Sequence, residues 1–421
     1  MRFVTEKSMV IVGNGCAGAE CIMALREGGY TEKVHLLTDS KWPVANPMLT
    51  TYYVADKIGF HGLFPYGPTK EFCRKYGVDM HAASPAAALD AEQRVVISKS
   101  GLELKYDKCL IATGATPFLP PVEGIGSDMV FAMRTVEDAI RLKEAMAKKP
   151  KKALVIGASM VGIKLVELFY NAGMEVCLAD LAPHIFPLAA HPECARVIEE
   201  RLNQKGIKLR LGAGIEKVKE TTWGARVYFE DSAESEQADL LVICTGVRAN
   251  MGFVNREQVA VDRGIMVDGH MRTNMSGLYA AGDVAQGKNV LSGGSEIIGL
   301  WANARYQGRI AGRNMAGGNE FFPGNIPHHI TRFMGMDFVG IGDVNDQDRI
   351  EQKYDGKRFI QLFWKDGLLR GANLVDSYTE SGVIKNALIK GLRQNRLVAS
   401  GFLPVIQNRL IKNILMEVER A

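Results

Sequence analysis

The feature that most constrains this chain is a glycine-rich turn between an apolar run and a helical segment. Residues 9–20 have the sequence MVIVGNGCAGAE, with glycines at Gly13, Gly15 and Gly18. In such a turn the first glycine allows a tight bend, the second lets the backbone approach a pyrophosphate, and the third lets helix pack on strand. The phosphate would lie at the helix N-terminus, where free N–H groups attract anions.

An acidic residue supports this interpretation. Asp39 closes the next apolar run, Val34 to Leu37. It lies about 20 residues beyond the turn, where a carboxylate can accept hydrogen bonds from ribose hydroxyls. The alternative is a strand, turn and helix that bind no nucleotide, since glycine-rich turns are common.

The same pattern occurs a second time. Residues 152–169 again combine an apolar strand and a helix, with Gly157, Ser159 and Gly162 in the turn, and Asp180 closes the following strand. A serine at the second glycine position is a departure. Its side chain would have to point away from a bound pyrophosphate.

Segments downstream of the two turns also correspond. Residues 77–90 match 206–219, each a short predicted strand after a helix, and residues 106–117 match 238–249, each an apolar strand that ends in Thr-Gly. Matching at several corresponding places predicts two copies of one α/β unit.

One further segment completes the pattern. TNMSGLYAAGDVAQ (273–286) is an apolar strand that ends in Gly282-Asp283. Over roughly residues 8–318 the chain resembles the pyridine nucleotide–disulfide oxidoreductase superfamily of flavoproteins. The resemblance implies an α/β fold with two Rossmann-like dinucleotide-binding domains, FAD in the first and NAD(P)H in the inserted second, plus a C-terminal α+β interface domain. The expected limits are 1–120 and 249–322 for the two parts of the FAD-binding domain, 121–248 for the NAD-binding domain and 323–421 for the interface domain.

The resemblance also implies roles for individual residues. Asp283 would hold the ribityl chain of FAD, and Ala86, Thr113 and Gly114 would contact the flavin nucleotide through their backbone. Arg134, at the start of a predicted helix, would contact FAD or lie on the surface. The other positions assigned to cofactor binding are Ala17, Asn46, Gly246 and Gly282.

NADH is favoured over NADPH. Asp180 stands where the second unit would meet the adenosine ribose, and a carboxylate there accepts the 2′-OH of NAD and repels a 2′-phosphate. The next residues, Leu181 to His184, include no arginine that could hold such a phosphate. His184 is interpreted as a surface residue.

The segment that begins at Asp39 contains no residue that could perform thiol chemistry. Many members of the superfamily pass electrons to a reactive thiol here, yet residues 39–53, DSKWPVANPMLTTYY, contain no cysteine. Cys16 and Cys21 are an unsuitable pair, because five residues on a helix are about 500° of rotation, which separates the two sulfurs. His328 and His329 are interpreted as structural.

The same segment is similar to the Tyr-x-Arg-Pro-x-Leu-Ser-Lys stretch of rubredoxin and ferredoxin reductases, with Asn46 to Thr51 in its place and the arginine and lysine replaced. This group has no second redox centre in the chain. The resemblance therefore implies a one-electron iron–sulfur protein as partner. Trp301 would lie by the isoalloxazine or the nicotinamide; a core tryptophan is the alternative.

Lys164 is a second candidate catalytic residue. In the similar ferredoxin reductases a glutamate at this helix position pairs with the lysine of Leu-Ser-Lys beside the flavin. Here Lys164 replaces the glutamate and Thr51 replaces the lysine. We expect the Lys164 ammonium close to the flavin N5 edge or the nicotinamide pocket, where it would stabilise an anionic reduced flavin. A lysine that points to solvent is the alternative.

Composition limits the remaining possibilities. A chain of 421 residues suggests two or three domains, and a net charge of +4 is too small to indicate nucleic-acid binding. No membrane span is predicted, and seven cysteines without framework spacing favour the cytoplasm. Residues 357–375 predict two strands around Asp366-Gly367. A final helix over 404–421 has one apolar side, for core packing, for a homodimer or complex, or for a membrane surface.

Three classes of function stay open from the sequence. An NADH-dependent electron transferase with an iron–sulfur partner is favoured. An NADH oxidase or thiol-type reductase is second, disfavoured by the missing cysteine, and a peripheral NADH–quinone oxidoreductase is a variant in which the last helix touches the membrane. The third class is a flavoprotein subunit that binds nucleotide without catalysis.

Overall fold

Strands and helices alternate at the start of each of two similar folds in the computed structural model, which describes residues 8–222, 224–230 and 232–393. The strands are β1 (Met9–Val12), β2 (Val34–Leu37), β3 (Val78–His81), β4 (Ala86–Asp90), β5 (Val95–Ser98), β6 (Glu103–Lys105), β7 (Lys108–Ile111), β8 (Ala115–Pro117), β9 (Val130–Phe131), β10 (Lys152–Ile156), β11 (Glu175–Asp180), β12 (Lys208–Leu211), β13 (Ile215–Thr221), β14 (Gly224–Phe229), β15 (Ser235–Ala238), β16 (Leu240–Ile243), β17 (Val247–Ala249), β18 (Ile265–Met266), β19 (Leu278–Ala280), β20 (Ala285–Lys288), β21 (Ser295–Glu296), β22 (His328–Phe333), β23 (Met336–Gly342), β24 (Arg349–Tyr354), β25 (Phe359–Lys365) and β26 (Leu368–Val375). The helices are α1 (Cys16–Glu27), α2 (Thr50–Val54), α3 (Thr69–Tyr76), α4 (Val136–Ala147), α5 (Met160–Asn171), α6 (Pro192–Gln204), α7 (Trp301–Met315) and α8 (Ser381–Ile389), with short 3-10 turns at Pro47–Leu49, Phe60–Leu63 and Tyr378–Glu380.

The described elements form two units. One contains the residues up to Pro117, Arg134–Arg141 and Val247–Asn325, and the other contains Phe118–Met133, Leu142–Gly246 and the residues from Ile326 onward. The described residues from Ile326 to Arg393 belong to the same unit as the second nucleotide-binding fold. The limits of the four expected segments stay a prediction.

The first unit is built on a parallel sheet of strand order β19-β7-β1-β2-β3. Its central strand β1 is entirely buried, and Met9 pairs with Val34 of β2 on one side and with Lys108 of β7 on the other. Helix α1 packs between this sheet and α7, and β4, β5 and β6 form a separate antiparallel meander. The central strand has nonpolar side chains throughout because both faces of a parallel sheet are covered.

The second unit repeats this plan. Its parallel sheet has the order β12-β11-β10-β16-β9, and β13, β14 and β15 form the matching meander. The predicted correspondences are confirmed, since β3 and β12 are parallel neighbours of the second strands and β7 and β16 are parallel neighbours of the first. The predicted α/β class with two Rossmann-like folds is therefore confirmed.

An antiparallel sheet of order β22-β23-β26-β25-β24 forms the rest of the second unit. Residues 357–375 form the two predicted strands, β25 and β26. The predicted helix at 404–421 lies outside the described residues. Among the residues that are described, no helix combines the length and the apolar character required to cross a membrane.

Polar contacts, of which those of Asn373 are fully buried, join this antiparallel sheet to the nucleotide-binding fold of the same unit. The fully buried Asn373 donates from Nδ2 to the Ala189 carbonyl at 2.7 Å and accepts from the His191 N–H at 2.7 Å. Arg201 of α6 forms an ion pair with Asp376 at 2.7 Å. An unsatisfied buried group costs about 1–3 kcal/mol, so these contacts hold the two parts together.

Candidate functional site

The three glycines of the first turn meet different surroundings. Gly13 has φ of +112°, and a Cβ there would lie 2.3 Å from the Ala112 carbonyl oxygen, while a Cβ on Gly18 would lie 2.3 Å from the Gly13 oxygen. A Cβ on Gly15 would meet only the Ala112 oxygen, at 3.9 Å. The protein itself requires the first and third glycines, whereas the second leaves space that a ligand can approach.

The start of α1 fits a bound pyrophosphate. Gly15 is the N-cap, no side chain caps the helix, and the first turn contains no acidic residue. The free N–H groups of the turn and the helix dipole therefore favour an anion here. Asp39 is exposed beyond the end of β2, and Ala17 is buried in the first turn of α1. These residues fit the diphosphate and adenosine part of FAD.

The structure brings Asp283 and Arg134 together. The Arg134 Nη2 donates to the Asp283 Oδ2 at 2.6 Å, and both side chains are about one-fifth exposed. Gly282 before it has φ of +82°, and its N–H donates to the buried Gln307 side chain at 2.8 Å. Gln307 fixes the turn that presents Asp283. The sequence analysis missed this residue, since nothing local links α7 to the turn.

Asn250 is a second residue that the sequence analysis missed. Its side chain donates to the Thr113 carbonyl at 3.1 Å, its backbone carbonyl accepts from the Thr113 hydroxyl at 2.5 Å, and its N–H donates to the Gly114 carbonyl at 2.9 Å. The predicted Thr-Gly contact segment is therefore held by the chain just after β17. The only sequence signal for Asn250 was its position four residues after Gly246, the glycine of the second Thr-Gly repeat.

Two other predicted residues have local structural contacts. Asn46 caps the turn Pro47–Leu49, because its Oδ1 accepts from the Met48 N–H at 3.0 Å. Ala86 is half-buried at the start of β4. Their contacts with FAD stay predictions.

Trp301 is the first residue of α7 and packs partly buried against the core of the first unit. Its ring lies 6.4 Å from that of Tyr66, measured between centroids. Trp301 is neither fully buried nor fully exposed, so its burial is compatible both with a core residue and with a residue beside the cofactor. Its role beside a flavin or nicotinamide stays a prediction.

No disulfide joins the seven cysteines, all of which lie in the described residues. Burial raises the pKa of the Cys16 thiol to about 11, and the Cys16 sulfur lies 3.5 Å from the Tyr66 hydroxyl. Cys21 points elsewhere, with its sulfur 3.7 Å from that of Met315. The two thiols of α1 do not form a redox pair.

The turn of the second unit repeats the geometry of the first. Gly157 has φ of +110°, and a Cβ there would lie 2.4 Å from the Cys244 carbonyl. The Ser159 hydroxyl donates to the Cys244 oxygen at 3.0 Å and accepts from the Gly162 N–H at 3.2 Å, so it caps α5. The side chain is therefore directed onto the protein, as a bound pyrophosphate would require.

Asp180 is the last residue of β11, and two backbone N–H groups donate to its carboxylate. Its Oδ2 accepts from the Ala158 N–H at 2.6 Å and its Oδ1 accepts from the Ala182 N–H at 2.7 Å. The next residue, Leu181, is 72% exposed. On the adjacent strand the Arg210 guanidinium is bound by Glu234 and Glu236, which makes it unsuitable for holding a 2′-phosphate.

This arrangement predicts the coenzyme preference. We expect NADH to be preferred over NADPH by at least about tenfold in kcat/KM, or roughly 1.4 kcal/mol. Asp180→Asn should narrow the gap, because the amide can still accept from backbone but no longer repels a phosphate. Glu175→Ala, at the exposed start of the same strand, is the matched control and should leave the ratio unchanged. Equal efficiencies with the two coenzymes in the wild-type protein would refute the assignment.

Lys164 has partners that the sequence analysis did not foresee. Its ammonium pairs with Glu167 one turn along α5 and donates to the Arg332 carbonyl of β22 at 2.7 Å. The side chain is 18% exposed, so it does not extend into bulk water. It joins α5 to the antiparallel sheet of its unit. The expected role beside the flavin stays a prediction.

Two dinucleotide-type folds, each with a glycine turn at the start of a helix and an acidic residue at the end of the next strand, are typical of an NAD(P)H-dependent flavoprotein oxidoreductase. The chain belongs to the pyridine nucleotide-disulphide oxidoreductase family, whose model matches residues 7–308. The predictions of the superfamily, of an enzyme, and of FAD and NADH as cofactors are confirmed.

Individual relatives cover most of the chain. It is 28% identical over 396 residues to the NADH-dependent phenylglyoxylate dehydrogenase subunit epsilon of Aromatoleum evansii, which covers 92% of this chain and 93% of the relative. It is 26% identical over 344 residues to the rubredoxin-NAD(+) reductase of Pseudomonas putida, covering 82% and 88%. Among solved structures, the NAD-dependent persulfide reductase of A. fulgidus superimposes with a TM-score of 0.86 at 25% identity, covering 94% of this chain and 79% of that one.

Proposed function

We propose that this chain is the NADH-linked flavoprotein of an electron-transfer system whose other component is an iron–sulfur protein of the rubredoxin or ferredoxin type. NADH would bind in the second unit and FAD in the first. The observation that carries this proposal is the absence of a cysteine from residues 39–64, the part of the first unit that directly follows β2.

That segment is filled by aromatic packing. The Trp42 and Phe60 rings lie 5.3 Å apart, measured between centroids, and Phe60 lies 5.6 Å from Tyr53. The Trp42 Nε1 donates to Glu137 at 2.5 Å. Thr51, which replaces the lysine of the ferredoxin reductases, is 8% exposed. The side chains here can shape a flavin pocket and exclude water from it, but none is a thiol nucleophile.

The remaining cysteines do not supply that chemistry from elsewhere. Six of the seven are buried, and Cys73 is half-buried. Burial raises the pKa of Cys73 and raises that of Cys177 to about 12. A thiol must ionise to attack a disulfide or a persulfide, and these thiols are protonated at neutral pH. No thiol of the protein is therefore available to accept electrons from NADH.

FAD, when bound, takes up two electrons with a hydride and gives them up one at a time, which matches a two-electron coenzyme to a one-electron carrier. The residues of the chain would bind and orient the cofactors. The glycine turns would hold the diphosphates, Asp283 would hold the ribityl chain of FAD, and Asp180 would select NADH over NADPH. Two of the relatives support this proposal. One is named for rubredoxin and NAD(+), and the other is a subunit of an NADH-dependent dehydrogenase. By analogy we propose that this chain also works within a complex.

The proposal predicts the electron count. In an anaerobic titration we expect about one NADH to reduce each FAD fully, because no redox-active thiol shares the electrons. Thiol labelling before and after reduction should give equal values. Cys73→Ser, which removes the least buried thiol, is the control and should leave the titration unchanged. Uptake of about two NADH without another cofactor would restore the thiol-reductase interpretation.

The acceptor is tested in the same preparation. Steady-state turnover should be fast with a rubredoxin or ferredoxin and slow with oxygen or with a persulfide substrate. Fast turnover with the persulfide and none with either iron–sulfur protein would replace the proposed partner by a sulfur substrate. Failure of NADH to reduce the flavin would instead support a subunit without catalysis.

A further inference from the structure

We propose that the first unit carries a binding site for a divalent metal ion of the zinc type, formed by His35, Asp79 and His81. The three side chains lie on β2 and β3, at the outer edge of the parallel sheet. The proposed electron transfer does not use this cluster. The metal-site proposal therefore does not depend on the proposed function.

The sheet register brings the three residues together. His35 of β2 pairs with Asp79 of β3, and Leu37 pairs with His81. Side chains alternate between the two faces of a strand, so Asp79 and His81 share a face, and a paired residue on the neighbouring strand lies on that face too. Leu36, on the other face of β2, packs in the core cluster that contains α1. The metal-binding residues and the helix of the FAD turn are thus on opposite faces.

The donor atoms are spaced as a tetrahedral ion requires. The His35 Nδ1 lies 3.2 Å from the His81 Nε2 and 3.5 Å from the Asp79 Oδ2, and the last two atoms are 4.0 Å apart. Bonds of about 2.0–2.1 Å from zinc to nitrogen give a separation of roughly 3.3 Å between ligand atoms. The two imidazole rings face each other nearly coplanar, with centroids 5.5 Å apart, so an ion bound to all three atoms requires the rings to tilt away from the line between their nitrogens.

The hydrogen-bond donors and acceptors of the cluster are compatible with a metal. The two facing imidazole nitrogens cannot both carry hydrogen at 3.2 Å. The His35 side chain is 3% exposed. Its Nε2 is buried and has no hydrogen-bond partner among the described residues. A single shared proton would satisfy two of the three donor atoms, whereas a metal ion would satisfy all three.

Solvent can reach the proposed metal site, and a neighbouring lysine competes with the ion for Asp79. Asp79 and His81 side chains are 40% and 22% exposed, which leaves a fourth ligand position open to water. The Lys33 ammonium lies 3.0 Å from the same Asp79 oxygen that would bind the ion. Lys33 is 57% exposed, and an exposed ion pair contributes little stability, so the ammonium can move into water. Lys33 is therefore a competitor of the metal.

The test uses the FAD-loaded full-length protein after treatment with a chelator. Zinc should rebind with a stoichiometry of about one ion per chain, as three protein ligands and one water provide a single site. Cobalt(II) in its place should give the intense visible bands of four-coordinate geometry. Absence of saturable zinc binding, or a six-coordinate cobalt spectrum, would overturn the proposal.

Variants separate this site from adventitious binding. His81→Ala should weaken zinc at least about 100-fold, since loss of a mere outer-shell partner already costs about 10- to 100-fold. Lys33→Ala should tighten binding, which a purely structural hydrogen-bonded cluster does not explain. His61→Ala, at an exposed histidine outside the cluster, should leave the affinity unchanged. Equal zinc affinity in His81→Ala and wild type would show that zinc binds elsewhere on the protein and would overturn the proposal.

Discussion

The Gly15→Ala variant is expected to fold and to lose FAD. Gly15 has φ of −99° and ψ of −174°, which alanine adopts readily, and its Cβ would meet only one protein atom, at 3.9 Å. The added methyl group would instead enter the space where a diphosphate approaches the turn. Steric overpacking costs about 1–3 kcal/mol or more, so FAD retention should fall by roughly tenfold or more. Flavin absorbance per chain after gel filtration, with circular dichroism of the same sample, measures both effects.

Gly13→Ala is the matched control for this experiment. Its Cβ would lie 2.3 Å from a backbone oxygen at a φ of +112°, so the fold itself should be damaged. If Gly15→Ala retains full flavin, the diphosphate does not approach this turn. If instead both variants unfold alike, the second glycine is needed by the protein and not by the cofactor.

The Asp283→Ala variant is expected to release FAD during dialysis. A hydrogen bond to a charged group contributes about 1.5–3 kcal/mol, so its loss should weaken FAD by roughly 10- to 100-fold. Asp283→Asn keeps an acceptor oxygen for a ligand hydroxyl and should lose less. Equilibrium dialysis followed by flavin fluorescence measures the difference.

Arg134 provides the check on this assignment. Because Arg134 pairs with Asp283 at 2.6 Å, the alanine variant also leaves a partly buried cation without its partner. Thermal unfolding of the flavin-free forms separates this effect from cofactor binding. Equal flavin affinity in Asp283→Ala and wild type would mean that the ion pair is purely structural.

The sequence was sufficient for features that depend on neighbouring residues. The glycine turns, the acidic strand ends and the repeated Thr-Gly segments each combine a short pattern with one physical requirement. Gly13 and Gly157 adopt almost the same positive φ, as equivalent tight bends must. Two copies of the pattern then determined the number and type of folds.

Features that depend on distant residues were not accessible in this way. Gln307 reaches the Gly282 turn and Asn250 reaches Thr113 across many intervening residues. The Lys164 ammonium donates to the Arg332 carbonyl of β22, although sequence position alone had suggested only a flavin or solvent. Long-range hydrogen bonds have no periodicity, and their partners become evident only when the strands are in register.

The contacts of Asn373 and Arg201 have a consequence for how such chains can be recombined. A boundary drawn near residue 323 separates regions that share buried polar contacts. A shuffled gene that exchanged only the C-terminal sheet would inherit orphaned donors and acceptors on both sides of the cut. The transferable module is therefore the second nucleotide-binding fold together with its antiparallel sheet.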